Sequence, residues 1–240
     1  VGTAEQEALL VVQRHDTAID QLRHRRASLP ERAALAAVEA EIAAIDAQAA
    51  TVRGRRDDLA RREKALEDEI AGIEAKVAEL DRRLYSGTIA NPRELQALQA
   101  DIDSLKRRAS GLEDDAIALL EAREPFDAEL AALEARRGEL EGRAAELRSR
   151  LAEAEAAIDA EVAAEQAARE AAAGAVGPAL LARYEELRAR SEGVGAARLE
   201  AGGRCSGCNL QLPAVEVARI KREPPEAVVY CEHCGRILVR

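Results

Sequence analysis

From Leu35 onward the apolar residues recur at alternating steps of three and four. The first run is Leu35, Val38, Ile42, Ile45, Ala49, Val52, Arg56, Leu59, Glu63, Leu66, Ile70, Ile73, Val77, Leu80 and Leu84, with 13 of its 15 positions apolar. A second run starts at Leu95 and passes through Leu98, Ile102, Leu105, Ala109, Leu112, Ala116, Leu119, Arg123, Phe126, Leu130, Leu133, Arg137, Leu140, Ala144, Leu147, Leu151, Ala154 and Ile158, with 17 of 19 apolar. A 3.5-residue repeat draws a continuous seam along a supercoiled helix. A strand would alternate with period two. Two long helices are therefore expected. Arg56, Glu63, Arg123 and Arg137 interrupt the seam, where they either fix register or extend their stems to solvent. Pro125 leaves the heptad phase intact, which predicts a kink in one helix and not a domain boundary.

Tyr85-Ser86-Gly87-Thr88-Ile89-Ala90-Asn91-Pro92 separates the two runs. Gly, Asn and Pro are turn residues, and Asn91 followed by Pro92 suits the start of a helix. The pattern predicts an antiparallel hairpin with its tip at about residues 85–92. If the turn centres near residue 88, residue i faces roughly residue 176 − i. A helix over about residues 92–171 would be on the order of 120 Å long. Leu9, Val12, Ile19 and Leu22 lie on one side of an earlier helix over residues 4–27. The same arithmetic places that helix against the 150s and 160s. Ser28-Leu29-Pro30-Glu31 reads as a break and a restart. After Gly174 and Gly177-Pro178 comes a short amphipathic helix carrying Leu180, Leu181, Tyr184 and Leu187. The expected organisation is a hairpin over residues 1–175, a short helix and linker over 176–198, and a compact module over 199–240.

Composition explains how such a chain does without a deep core. Ala, Leu, Glu, Arg and Lys supply 148 of the 240 residues, and the aromatics are three Tyr and one Phe. Those proportions suit a long helical seam and not a multi-layer enzyme core. No apolar run reaches the roughly 18 residues that would span a bilayer. The start of the chain lacks the basic stretch and long apolar segment of a signal peptide. A cytoplasmic protein without membrane partners is expected. The net charge of −10 argues against coating nucleic acid through bulk charge.

The four cysteines fall in the final module as Cys205-x-x-Cys208 and Cys231-x-x-Cys234. Two residues between cysteines allow both thiolates of a knuckle to reach one ion at about 2.3 Å, and the second pair completes a tetrahedron. Gly207 and Gly235 supply permissive backbone there. Residues 228–230 and 237–239 are apolar runs suited to a hairpin of strands. One structural Zn2+ is the expected cofactor. With four cysteine ligands it keeps no open position for catalysis, and about 40 residues need it in order to fold. Two disulfides are the alternative, and they suit a secreted chain better than this one. His233 is not expected to ligate.

Residues 199–240 carry six cations and five anions, a balance of +1, which leaves −11 for residues 1–198. Arg219, Lys221 and Arg222 form a basic cluster between the knuckles. Arg82, Arg83, Tyr85, Asn91, Arg93 and Glu94 gather at the tip. No paired carboxylates, Ser/His/Asp set or glycine-rich phosphate loop appears, so no enzyme and no small-molecule substrate are expected.

Leu84-Tyr85-Ser86-Gly87, Asn91-Pro92-Arg93-Glu94-Leu95, Cys205-Ser206-Gly207-Cys208 and Cys231-Glu232-His233-Cys234-Gly235-Arg236-Ile237-Leu238 together resemble the bacterial coiled-coil proteins with a C-terminal C4-type zinc ribbon, a family of largely unknown function. The short helix around Tyr184 and the segment leading to Leu199 are also similar. The resemblance implies a mainly α fold: a long antiparallel coiled-coil hairpin with a small C-terminal β zinc ribbon docked near its open end. It also brings in roles linked to some members, namely the nitrogen-type sigma factor, export chaperoning and RNA. The proline usual in the last knuckle is Glu232 here, which leaves the ligands intact and changes the neighbouring surface. The expected function is a non-enzymatic adaptor or regulator. It binds protein or RNA partners through Tyr85, Asn91 and Arg93 at the tip and through Arg219, Lys221 and Arg222 in the ribbon. A nucleic-acid-binding regulator acting through the ribbon alone is the alternative.

Overall fold

The computed structural model describes residues 3–240. In chain order they form α1 (Ala4–Ala27), α2 (Pro30–Leu84), α3 (Pro92–Ala173), α4 (Pro178–Arg190), β1 (Ala196–Arg198), α5 (Ala214–Arg222), β2 (Val229–Tyr230) and β3 (Ile237–Val239). The chain packs as two units, residues 34–146 and residues 1–33 with 147–240.

Residues 34–146 hold the middle of the seam. Val38, Ile45, Val52 and Ile73 of α2 are buried, as are Leu98, Ile102, Ala109, Leu133, Leu140 and Ala144 of α3. At the tip, the Asn91 Oδ1 accepts from the Arg93 N–H at 3.0 Å, and Pro92 takes the first helical position. The cap uses an amide donor that the helix itself leaves free. Helix α3 continues through Pro125. Ion pairs flank the seam on both sides. Arg108 reaches Glu69 at 2.5 Å and Arg83 reaches Glu94 at 3.4 Å, while Arg56 meets Asp127 at 3.0 Å and Arg137 meets Asp46 at 2.8 Å. Arg123 pairs with Glu63, their side chains 27% and 13% exposed. The seam arginines are thus tied to carboxylates and do not simply extend into water.

The flanking pairs bracket the register of a turn centred near residue 88. That turn puts Glu69 opposite residue 107 and Arg83 opposite residue 93, and their partners Arg108 and Glu94 stand one residue away. It puts Arg56 opposite residue 120, and its partner Asp127 stands about two helical turns further along α3. The connection from Tyr85 to Asn91 is not helical.

The second unit is built around α1. His15 meets Glu165 at 2.6 Å, Arg25 meets Glu161 at 2.8 Å and Arg26 meets Asp159 at 2.9 Å, all on the last third of α3. The sheet order is β1-β3-β2, with β1 parallel and β2 antiparallel to β3. All three residues of β3 are buried because alternate side chains enter different cores. Ile237 joins Leu9, Val12, Tyr184 and Leu187, while Leu238 joins Cys205, Leu212, Ile220 and Cys231. Ala196 and Ala197 divide in the same way. The small sheet is a wall shared by the helical core and the cysteine core. Gly195 sits where this wall meets α4, and a Cβ there would lie 2.6 Å from the Tyr184 carbonyl oxygen.

Candidate metal centre

The two CxxC segments have the same backbone design. In the first, the Asn209 N–H donates to the Cys205 carbonyl at 2.8 Å; in the second, the Gly235 N–H donates to the Cys231 carbonyl at 2.8 Å. Each closing residue is left-handed, Asn209 at φ 58° and Gly235 at φ 70°. Asn and Gly are the residues that tolerate this conformation best. Gly207 has a different reason to be glycine: a Cβ there would lie 2.8 Å from the Arg236 Cδ and 2.9 Å from the Ala197 Cβ.

All four Sγ atoms lie within 4.8 Å of one another. Cys205 to Cys234 and Cys208 to Cys231 each measure 3.9 Å between sulfurs. A disulfide would require about 2.05 Å. Sulfurs placed tetrahedrally at about 2.3 Å from zinc stand about 3.8 Å apart, so the cage has the size of a Zn2+ ion. Among the described residues this is the group of cysteine, histidine and acidic side chains that gathers as a metal site. His233 faces Glu232 at 3.8 Å and stands outside it.

The thiols are unequal. Burial pushes the Cys231 thiol up to about 12. Burial also opposes ionisation of Cys234, but hydrogen bonds from the Arg236 backbone and side chain, and from Cys231 and Cys208, bring it down to about 7. A coordinating thiol is deprotonated outright, so a bound ion would override the burial cost at all four. The centre holds structure together and offers no open coordination position.

The expected partner residues occupy two places. At the tip Tyr85 is 82% exposed. Arg93 is exposed, and Asn91 is engaged as the cap of α3. In the ribbon, all three basic residues lie on α5, at its C-terminal end. Arg219 is held by Glu216 at 2.5 Å and by Glu223 at 3.4 Å. Lys221 and Arg222 are exposed and form no ion pair among the described residues. The remaining ribbon cations have internal tasks. Arg204 pairs with Glu200, and Arg236 donates to the Val194 and Ser191 carbonyls. Arg240 donates to the carbonyls of Ile220, Glu223, Pro224, Pro225 and Ala227, closing the end of α5.

Three buried polar residues on α1 escaped the apolar pattern: Gln6, Gln13 and Asp16. Asp16 accepts from the Tyr184 hydroxyl at 2.7 Å and from the Arg169 Nε at 2.8 Å. Their signal in the sequence is position. Gln6 and Gln13 are seven residues apart, on the stripe that also carries Leu9 and Val12.

Comparison with known proteins agrees with this geometry. The profile of the CT398-like coiled coil hairpin domain matches residues 12–192, and that of the C4-type zinc ribbon domain matches residues 204–238. An uncharacterised protein of Mycobacterium tuberculosis is 35% identical over 243 residues, covering 100% of this chain and 96% of the relative. A solved structure from Mycobacterium smegmatis has a TM-score of 0.86 at 26% identity, covering 99% of this chain and 97% of that one. The structure of CT398 from Chlamydia trachomatis shares the fold, with a TM-score of 0.71 at 20% identity and coverage of 98% and 97%. No helix among the described residues is long and apolar enough to cross a membrane. With the seam, the tip and the four-sulfur cage all in place, the chain belongs to the family of CT398-like coiled-coil hairpin proteins with a C4-type zinc ribbon.

Proposed function

We propose that the protein is a non-enzymatic adaptor or regulator that engages protein or RNA partners through the hairpin tip and the ribbon. The observation that carries this reading is Tyr85. A large aromatic side chain stands 82% exposed in a non-helical turn. Arg82 and Arg93 are close to it in sequence, and neither forms an ion pair among the described residues. Exposed aromatic and arginine side chains are the groups that dominate binding hot spots. Asn91 contributes by fixing the first turn of α3, and so the place of Arg93. The test is a cross-linking pull-down with Tyr85→Ala and Arg93→Glu, with zinc content measured in parallel. Partners should be lost while zinc is retained. If every partner survives both substitutions, the tip has no such role.

The second reading is a nucleic-acid-binding regulator, transcriptional or post-transcriptional, that acts through the ribbon. It is favoured by Lys221 and Arg222, exposed at the end of α5 and without an ion pair among the described residues. Arg219 is the weaker contributor, since Glu216 and Glu223 already neutralise it. This reading predicts binding of RNA or DNA that weakens steeply with salt, and a shallower salt slope after Lys221→Ala and Arg222→Ala.

A further inference from the structure

Gln13 is 7% exposed, on the face of α1 that also carries Leu9 and Val12. A buried amide is costly unless its hydrogen bonds are made. Here they are made to the backbone entering β1. The Gln13 Oε1 accepts from the Gly195 N–H at 2.7 Å and from the Ala196 N–H at 3.3 Å. Its Nε2 donates to the Gly193 carbonyl at 3.0 Å.

Arg236 holds the same segment from the other direction. Its Nε donates to the Val194 carbonyl at 2.8 Å and its Nη2 to the Ser191 carbonyl at 3.0 Å. Arg236 follows Cys234 by two residues, and its stem passes Gly207 of the first knuckle. Residues 191–196 are therefore clamped between an amide of α1 and a guanidinium of the cysteine cage. Beyond the clamp, Ala196 and Ala197 pair with Ile237 and Leu238, the residues that follow Arg236. Gln6 holds the other edge through its Nε2 alone. Its Nε2 donates to the Pro225 and Ala227 carbonyls at 3.3 and 3.2 Å, in the loop that leads through β2 to Cys231.

We propose that Gln13 and Gln6 are positioning residues for the zinc centre, acting through the clamped segments and Arg236, so that zinc occupancy and the docking of α1 form one coupled equilibrium. Coupling is reciprocal. A helix contact that favours the closed cage slows loss of the ion, and withdrawal of the ion loosens α1. Leu9 and Val12, fully buried in the docked helix, then become accessible. The inference is independent of which partner the tip or ribbon meets.

The test uses the full zinc-loaded protein and a chromogenic chelator that reports zinc release. Couplings of this kind change affinities by roughly 5- to 150-fold. Gln13→Leu is expected to release zinc about tenfold faster, near the low end of that range, because Gln6 remains. Arg236→Lys, which keeps the charge but not the two-carbonyl fork, should behave likewise. His15→Ala serves as the control on the same helix, since its partner is Glu165 and not the ribbon; it should match the parent. The cobalt-substituted protein gives a second reading, because its visible spectrum follows cage geometry and should shift for Gln13→Leu but not for His15→Ala. If Gln13→Leu does not fold, hydrogen exchange on the unmodified protein decides. Chelation should reduce protection of the amides of residues 6–19 by about tenfold or more and leave those of residues 98–144 unchanged. Zinc release from folded Gln13→Leu at the parental rate, or unchanged exchange in residues 6–19 after chelation, would overturn the proposal.

Discussion

Replacing Tyr184 by Phe removes one oxygen from a fully buried side chain. That oxygen donates to the Asp16 Oδ2 at 2.7 Å, and Asp16 is itself only 4% exposed. The carboxylate keeps Arg169 at 2.8 Å and Arg188 at 3.7 Å, so the substitution does not strand it. The ring remains, so no cavity opens. What disappears is one hydrogen bond to a charged acceptor, a contribution of about 1.5–3 kcal/mol. Tyr184→Phe should therefore lose about 2 kcal/mol of stability at pH 7. Alkaline pH gives a second signature. Burial, then the hydrogen bond and charge of Asp16, push the Tyr184 phenol above its ordinary value of 10.0. A folded pKa that is raised means the fold holds the neutral phenol. That contribution is complete below the unfolded value and fades as pH rises past it. Above about pH 10 the parent should lose up to about 1.4 kcal/mol per pH unit from this group, a loss the Phe variant lacks. The two stability curves should converge. Urea unfolding followed by far-ultraviolet circular dichroism from pH 7 to pH 11 measures both effects. Curves that stay parallel through pH 11, or a difference at pH 7 below about 0.5 kcal/mol, would refute the reasoning.

Three further outcomes are expected. Arg240→Ala strips the donor from five carbonyls at the end of α5 and should cost about 2–3 kcal/mol, read as a lower melting temperature of the zinc-loaded protein. Gly195→Ala places a Cβ 2.6 Å from the Tyr184 carbonyl oxygen; it should destabilise by about 1–3 kcal/mol in thermal unfolding, whereas Gly138→Ala, with open space around it, should be neutral or stabilising. Glu63→Ala leaves Arg123 without its seam partner and should cost more than the double replacement Glu63→Leu with Arg123→Leu, which should unfold at equal or higher urea concentration than the parent.

Much of this architecture was legible because a heptad repeat is a long signal. Dozens of seam positions had to agree before two helices could be read, and the Asn91-Pro92 start of α3 then followed from local chemistry. The cysteine spacing was equally direct. Strand β1 was not legible: Ala196-Ala197-Arg198 has no strand signature of its own, and pairing with β3 alone makes it one. Helix α5, at nine residues, is too short for periodicity to establish, and its burial of Ile220 depends on the ribbon core. A charge sum does not say which cations reach solvent: Arg240 and Arg236 enter the ribbon's balance although both are turned inward onto carbonyls. Gln6 and Gln13 were passed over because a search for apolar positions discards the amides that stand among them.

The sharing of β3 between two cores has a consequence for how the protein is made. Leu9 and Val12 leave the ribosome well before Tyr184, Leu187, Ala196 and Ile237, which cover them and lie more than 160 residues further along the chain. At about 5–20 residues per second, the apolar face of α1 waits roughly ten to forty-five seconds for its full cover. The whole hairpin is synthesised in that interval. A nascent chain therefore carries α1 uncovered until the second knuckle emerges, which makes α1 the segment on which a holding chaperone would act.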